Sequence, residues 1–469
     1  MPVNALREIH RRHDTWELAL LVSVKRDDAG VRRMLGGLVS TRRVWVVTVL
    51  FTVSVAWGAN LNLPDDEYQR QARTLTKEQV APLAARAGAG DPRAQCVLGI
   101  AYEDGFAVEQ NDAEAGKWLR RAADQRIARA ANDLGYLYQH GKGVVQGDAE
   151  AVKWYRVAAE QNNPDGQTNL GFMYSNGLGL KQDLAEARKW YQRAAAQGFP
   201  AAQFNLATFY RDGKGVKQDY ATAANLFRQP AERGYGLAQR ELAILYQHGL
   251  GVPQDNKAAL RWFQAAAEQG DAVAQTSLGS AYFTGALGRK DSKEAARWTN
   301  AAALQGVPEA EANLGYMYES GTGVAADSQQ AAKWYAAAAA QGNVIAEAGL
   351  AQLYYAGEGV PRDYEQAVKW YRKAAEQGDI RAARNLGYIY ATGRGGRLNY
   401  EEAYGWFRRA MAAGDKASKR DLAKLREIMT SRQVQEAEFR WSARQSILPS
   451  SQSVMPPVQA LRPEEGGRP

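Results

Sequence analysis

Cysteine and histidine are scarce in this sequence. Its 469 residues include one cysteine, Cys96, and four histidines. One thiol cannot form an intramolecular disulfide or a thiolate metal cluster. His140 and His248 are the two histidines between 91 and 414, and we expect roughly 25 to 30 Å between them, too far to share a metal ion. The sequence therefore predicts no metal site, no cofactor and no catalytic residues, and we expect the protein not to be an enzyme.

A hydrophobic run long enough to cross a bilayer is also missing. The uncharged apolar run 44–57 would reach about 21 Å as a helix, whereas a span needs about 20 residues. This run follows Arg42 and Arg43 and ends in the letters AWG, small residues spaced like a signal-peptidase site. We therefore predict a secretory signal peptide over 34–58. The alternative is an uncleaved inner-membrane anchor through 44–57, with tryptophans at both interfaces.

The first 33 residues carry charges of both signs, unlike the basic start of a signal peptide. We interpret residues 1–33 as an extension upstream of a true start at Met34, with Met1 as the alternative start. We expect the protein to be exported, periplasmic or secreted. Any membrane contact would then come only from the N-terminal segment, if that segment stays uncleaved.

Beyond its first 43 residues, the sequence has no strong excess of one charge sign. The net charge is +8, from 59 basic and 51 acidic residues, but nine basic and five acidic residues lie in the first 43 positions. The remainder is close to balanced, which is typical of a solvated helical surface rather than a nucleic-acid footprint. We expect no nucleic-acid partner.

A strict 36-residue period fills the centre of the chain. Tyrosine follows the repeated leucine by four residues, and glycine follows that tyrosine by three. Periods of this size indicate a solenoid in which each unit buries its apolar face against its neighbours. We predict nine units over 91–414, marked by leucine at 98, 134, 170, 206, 242, 278, 314, 350 and 386.

Each unit has the pattern of two helices. In the first, Ala94, Leu98 and Tyr102 fall on one helical face, and a mid-helix glycine in six units implies a closely packed neighbour. Glycine then ends this helix in the left-handed conformation. The second helix begins at a capping Asp or Asn, with Glu or Gln three residues later in seven units, which predicts a capping box. The predicted caps are Asn111, Asp183, Asp219, Asp255, Asp291, Asp327, Asp363 and Asn399.

Seven of the nine units carry a Gly-x-Gly, which could suggest a phosphate-binding loop. Such a loop follows a strand and leads straight into a helix, or carries Gly-Lys followed by Ser or Thr. Here every Gly-x-Gly follows a helix, and Gly141-Lys142-Gly143 lacks the hydroxyl. We predict that these glycines are turn residues.

The units resemble Sel-1-like repeats, the 36-residue relatives of tetratricopeptide repeats. The matching text is Ala-x-x-x-Leu-Gly-x-x-Tyr-x-x-Gly-x-Gly-Val, then Asp-x-x-x-Ala-x-x-Trp-Tyr-x-x-Ala-Ala-x-Gln-Gly, and residues 346–378 follow it closely. The resemblance implies an all-α, right-handed superhelical solenoid of helix-turn-helix repeats and a role in protein–protein interaction, often in the bacterial envelope. The cysteine pairs of the family members linked to penicillin binding are absent, so that activity is not expected.

The flanks depart from the repeat pattern. We predict an N-terminal cap helix within 65–90, C-terminal cap helices over 415–445 and a disordered tail over 446–469. Within the fourth unit, Pro230 falls in the second helix. Because proline cannot donate to the carbonyl of Leu226, we predict a kink or early break between Leu226 and Pro230.

The resemblance also implies where a ligand binds. In tetratricopeptide arrays the first helix lines the concave surface, and asparagine there forms a ladder along an extended peptide. We predict a scaffold or adaptor of the bacterial cell envelope that binds protein or peptide ligands; the alternative is binding of an envelope polymer such as peptidoglycan or exopolysaccharide. A competing interpretation is that asparagine only tolerates a crowded helix contact. The predicted ligand-binding residues are Asp133, Tyr136, Asn169, Phe172, Asn205, Asn313, Tyr316, Asn385 and Tyr388.

Overall fold

The computed structural model describes residues 19–22, 47–50, 67–394, 396 and 398–447, and their side chains from Glu67 to Trp441. Two short strands, β1 (Ala19–Val22) and β2 (Val47–Leu50), pair antiparallel. The predicted signal or anchor segment 34–58 lies outside the described residues except for β2. Within the described part of the chain, no helix is both long and apolar enough to cross a membrane.

Between Glu67 and Ile447 the described elements are helices. Helices α1 (Glu67–Arg73) and α2 (Lys77–Gly88) precede the repeats, and α21 (Lys416–Ile428) and α22 (Ser431–Ile447) follow them. Each repeat consists of an A-helix and then a B-helix. In order, these are α3 (Pro92–Asp104), α4 (Asp112–Asp124), α5 (Ala128–His140), α6 (Asp148–Glu160), α7 (Pro164–Asn176), α8 (Leu184–Ala196), α9 (Pro200–Asp212), α10 (Tyr220–Glu232), α11 (Gly236–His248), α12 (Asn256–Glu268), α13 (Ala272–Thr284), α14 (Ser292–Ala303), α15 (Pro308–Ser320), α16 (Ser328–Ala340), α17 (Val344–Ala356), α18 (Tyr364–Glu376), α19 (Ile380–Thr392) and α20 (Tyr400–Ala412).

The helices form two compact units, which divide between Asp255 and Asn256. In the first unit each helix from α2 to α11 packs on the next one along the chain, and in the second unit the same holds from α12 to α21. The predicted all-α fold of tandem helix-turn-helix repeats is confirmed.

Close approach of the A- and B-helices explains glycine in the middle of the A-helix. A Cβ built on Gly315 would lie 2.7 Å from the ring of Tyr335, and a Cβ on Gly135 would lie 2.7 Å from the ring of Tyr155. Both tyrosines are fully buried. The predicted close neighbour is therefore confirmed, and it is the residue that follows the repeat tryptophan in the B-helix.

Both ends of the A-helices are fixed locally. Asp91, Asn163 and Asp379 accept hydrogen bonds from the first free backbone amides. At the other end each A-helix stops at a left-handed glycine, as predicted, from Gly105 to Gly393. Glycine adopts this conformation without the steric penalty of a Cβ atom.

The B-helices begin at the predicted caps, but the capping box is wrong for Glu186 and its equivalents. The Asp183 side chain accepts from the amide of Glu186, while the Glu186 carboxylate bonds Lys189 instead of reaching back. The reason is that the amide of Asp183 already donates to the carbonyl of Tyr174, 2.9 Å away. The same bond joins the repeat tyrosine to the first residue before the B-helix in all nine repeats. The confirmed side-chain caps are Asn111, Asp183, Asp219, Asp291, Asp327, Asp363 and Asn399.

The predicted early break at Pro230 is wrong, whereas the predicted kink stays a prediction. Helix α10 is unbroken from Tyr220 to Glu232, through the proline. Pro230 lies in the last turn of α10, two residues before the helix ends. Its missing amide therefore removes only one backbone hydrogen bond, close to the helix end. Pro230 is also buried with Ala231 and Phe227, and this packing holds the turn in place.

A buried amide joins successive repeats. Gln275 in α13 donates to the carbonyl of Ala267 in the preceding B-helix, 3.0 Å away, and accepts from Gln305, 2.8 Å away, at the end of the following B-helix. Gln95 with Gln125 and Gln167 with Gln197 repeat this arrangement. The glutamine gives a helix-end carbonyl a second donor, since the carbonyl of Ala267 also accepts from the backbone amide of Gly270.

Candidate functional site

The predicted ligand-binding residues all lie on A-helices, at two positions three residues apart. We call this surface the ladder face: the amide or carboxylate position of Asn169 and the ring position of Phe172, with their equivalents in the other repeats. Helical geometry places residues three apart on one side of a helix, so each amide lies beside its ring.

Two ladder positions are bonded within the protein. The buried carboxylate of Asp133 pairs with Arg129, 2.7 Å from Nε, and accepts from Asn132. Asn169 donates to the side-chain oxygen of Asn132, 2.9 Å away. These contacts join α5 to α7. At Asp133 and Asn169 the polar groups of the ladder face therefore hold neighbouring repeats together.

Three other ladder amides are half-buried and unbonded. Within the described part of the chain, the side-chain amides of Asn205, Asn313 and Asn385 make no hydrogen bond to another residue. Each amide can donate and accept at once, which is what an extended backbone or a polar side chain of a ligand requires.

The ring positions are held by neighbouring side chains. Tyr136 stacks on His140 with ring centroids 4.2 Å apart, and Phe172 is half-buried. Tyr316 packs edge-on against Phe283 at 6.2 Å. Tyr388 packs edge-on against Phe407 at 5.3 Å and is 38% exposed. Rigid aromatic surface of this kind gives contact area at low entropic cost.

A charged residue interrupts the ladder face in the fifth repeat. Glu241 is buried and pairs with Arg240, 3.0 Å away, and with Arg211 of the preceding A-helix. Burial by itself would raise the pKa of Glu241, but the two guanidinium groups outweigh it and hold that pKa below its usual range. Glu241 is therefore a charge satisfied within the fold.

Nδ1 of His140 donates to the carbonyl of Tyr136, 2.9 Å away, and burial lowers the pKa of the His140 imidazole. Among the described residues, no group of three His, Cys, Asp or Glu side chains could hold a metal ion. Cys96, the single cysteine of the sequence, is buried.

Comparison with known proteins decides the family. A family model described as the Sel1 repeat matches nine consecutive segments, at 92–126, 128–163, 164–199, 200–235, 236–271, 272–307, 308–343, 344–379 and 380–415. The chain belongs to the Sel1 repeat family.

Two solved structures support this membership. A protective antigen of uropathogenic Escherichia coli with an SLR fold is 34% identical, with a TM-score of 0.64, over 81% of this chain and 84% of that one. A Sel1 repeat protein from Oxalobacter formigenes is 32% identical, with a TM-score of 0.50, over 71% of this chain and 96% of that one. A comparison with curated proteins found no match.

The structure also shows what the Gly-x-Gly does in the Sel1 repeats that carry it. The second glycine packs on the start of the preceding B-helix, where a Cβ on Gly359 would overlap the carbonyl oxygen of Ser328. The equivalent contact joins Gly143 to Asp112. Because backbone from the neighbouring repeat fills this space, these glycines are inter-repeat packing residues and do not form a phosphate cradle.

The ladder face is covered in the first Sel1 repeat, which the sequence predictions did not include. In the first Sel1 repeat the equivalent positions are Val97 and Ile100, which are apolar and only 3% and 1% exposed. Helix α1 packs on α3 at this place. The signal was available in the sequence, because apolar residues at positions that are polar or half-exposed elsewhere indicate a covering element.

Proposed function

We propose that this Sel1 repeat protein is a non-enzymatic protein–protein interaction scaffold of the bacterial cell envelope. Proteins of this family are generally interaction scaffolds and typically not catalysts. The observation that carries the proposal is the ladder face, where Asn205, Asn313 and Asn385 keep unbonded amides. A partner segment would bond these amides and cover the neighbouring rings.

The expected ligand is a protein or peptide segment rather than nucleic acid. The ladder face pairs its carboxylates with arginines at Asp133 and Glu241, so it offers amides and rings rather than a net charge. A neutral surface with repeated amides suits a peptide backbone, whose donors and acceptors also repeat. A phosphate backbone would instead need clustered cations.

The envelope assignment is supported by the leader pattern over 34–58 and by the similarity to a protein described as a protective antigen of uropathogenic Escherichia coli. Capture from the cell envelope tests it directly. Tagged protein should recover a specific protein after crosslinking; recovery of glycan without protein would favour the envelope-polymer alternative.

The ladder face is tested by changing the three unbonded amides, Asn205, Asn313 and Asn385, together to Ala. We expect the capture of the partner to fall at least about tenfold, because several hydrogen bonds of roughly 1 kcal/mol each are lost together. The matched control changes three exposed B-helix amides, Gln192, Asn225 and Gln264, to Ala. Capture as before by a stably folded triple ladder variant would contradict the proposal.

A further inference from the structure

Helix α1 lies on the A-helix of the first repeat. Ala72 is fully buried, and Tyr68 packs in the same hydrophobic cluster as Cys96, Val97 and Ile100 of α3. Val97 and Ile100 stand at the two ladder positions of this repeat. Helix α1 therefore covers the ladder face where that face begins.

Polar contacts of Gln69 place α1 against both α3 and α5. The amide of Gln69 donates to Asp104 at the end of α3, 2.8 Å away, and its carbonyl oxygen accepts from Arg129 of α5, 2.8 Å away. A helix stacked at the free end of the array would have α3 between itself and α5. Contact with Arg129 places α1 on the side that α3 shares with α5.

Helix α1 is not the A-helix of a tenth repeat. One period before α3, an A-helix would span 56–68, whereas α1 spans Glu67–Arg73. Its seven residues form two turns, and isolated helices of this length are marginal in water. Helix α1 is thus held by packing on α3, and short elements held in this way open locally before the whole fold does.

The uncovered repeats give the matching comparison. At the positions of Val97 and Ile100, the third repeat has Asn169 and Phe172, both half-buried. The first repeat is therefore apolar at these two positions, where α1 lies on them, whereas the third repeat is polar and aromatic there.

We propose that Val97, Ile100 and Asp104 of α3 form a helix-recognition site, which α1 fills within the chain and which a helix of a partner protein competes for. The partner helix carries the α1 pattern: an aromatic residue, an amide at the next position and alanine four residues after the aromatic. The site does not use the amides of Asn205, Asn313 or Asn385, so its test and the ladder test can fail separately.

Single-thiol labelling tests the site in the full chain. Cys96→Ala removes the natural thiol, and Val97→Cys places a thiol under α1, while Asn205→Cys, at an uncovered ladder position, is the matched control. We expect maleimide to label Val97→Cys at least about tenfold more slowly than Asn205→Cys. Adding Tyr68→Ala and Ala72→Glu should release α1 and bring the two rates within about threefold of each other.

The released site is then offered a synthetic peptide of residues 65–76. Binding of this peptide should slow the labelling of Val97→Cys again and leave that of Asn205→Cys unchanged. The same peptide with both substitutions should have no effect. If the double substitution impairs folding, as judged by thermal melting, Tyr68→Ala alone is used, and Gln69→Ala should open the site more weakly.

Three results would overturn the proposal. Equal labelling of the two thiols in the parent chain would show that α1 does not cover the site. Lack of protection by the peptide would show that the surface does not recognise a separate helix. Labelling of Val97→Cys that slows as protein concentration rises, together with dimer formation, would identify a second copy as the occupant instead of a partner protein.

Discussion

The buried amide between repeats is replaced by a carboxylate in two repeats. Glu311 and Glu347 stand where Gln275 stands, and each accepts from the glutamine that follows, Gln341 and Gln377 respectively. A carboxylate has no donor for the preceding helix-end carbonyl, whereas a protonated carboxyl group has one. Burial raises the pKa of Glu347 to about 7, because Gln377 and Lys373 oppose the burial only in part.

This raised pKa predicts a loss of stability with rising pH. The folded state holds the Glu347 proton up to about pH 7, while the unfolded chain releases it near 4.5. The contribution of Glu347 to the free energy of unfolding is therefore greatest below about pH 4.5, falls between pH 4.5 and 7, and is constant above that range. Glu347→Gln removes the loss, so the gain in free energy of unfolding should be at most about 1 kcal/mol at pH 5 and larger, about 1 to 3 kcal/mol, at pH 8.

Urea unfolding of the parent and Glu347→Gln proteins at the two pH values gives this gain. The exposed Glu358 supplies the control, since Glu358→Gln should give the same small difference at both pH values. An equal gain at pH 5 and pH 8 for Glu347→Gln would mean that ionisation of the buried Glu347 carboxyl group does not cause the loss of stability with rising pH.

At the scale of the helices and loops, glycine is required for two separate reasons, a left-handed backbone and a close contact between repeats. Gly359 has φ +70° and lies against Ser328 of the preceding B-helix, whereas Gly342 has φ +81° and has no neighbour within 4 Å. Left-handed conformation alone costs alanine about 1 to 2 kcal/mol. At Gly359 the contact with the preceding repeat adds a steric cost that is absent at Gly342.

We therefore expect Gly359→Ala to destabilise the protein by more than about 3 kcal/mol and Gly342→Ala by only about 1 kcal/mol. Thermal or denaturant unfolding of the two variants measures the difference, which isolates the inter-repeat contact because the left-handed backbone is common to both. Equal losses would show that the loop moves away from Ser328 at little cost.

At the scale of the whole molecule, contacts within each unit join neighbours in the chain. Helix α7 packs mainly on α6 and α8 and only weakly on α5 and α9. Stability in such arrays is close to a sum of repeat and nearest-neighbour contributions, so damage in one repeat stays local.

Leu170→Ala in α7 tests this locality. Leu170 is fully buried, and its truncation should cost about 2 to 5 kcal/mol. Hydrogen exchange should become faster from α6 to α9, while α3 and α4 keep their protection. Uniformly faster exchange across the first unit would show that the unit unfolds as one cooperative body.

Much of the fold followed from the sequence because the period fixed it. The leucine, tyrosine and glycine of each repeat set the helix length, the helix end and the number of units. These three residues make their contacts within one repeat or with an adjacent repeat. The capping box failed at Glu186 because the carbonyl of Tyr174 had already bonded the amide of Asp183. That carbonyl comes from a different helix, and no local pattern shows it.

The ladder face shows the same division. The sequence determined which residues lie on the A-helices, from Asp133 to Tyr388, since helical spacing alone assigns a face. Only the tertiary structure decided that Arg129 and Asn132 bond Asp133 and Asn169, that Asn205 stays unbonded and that α1 covers Val97. These outcomes depend on side chains from other repeats and from outside the repeats, whose approach is set by packing and not by spacing along the chain.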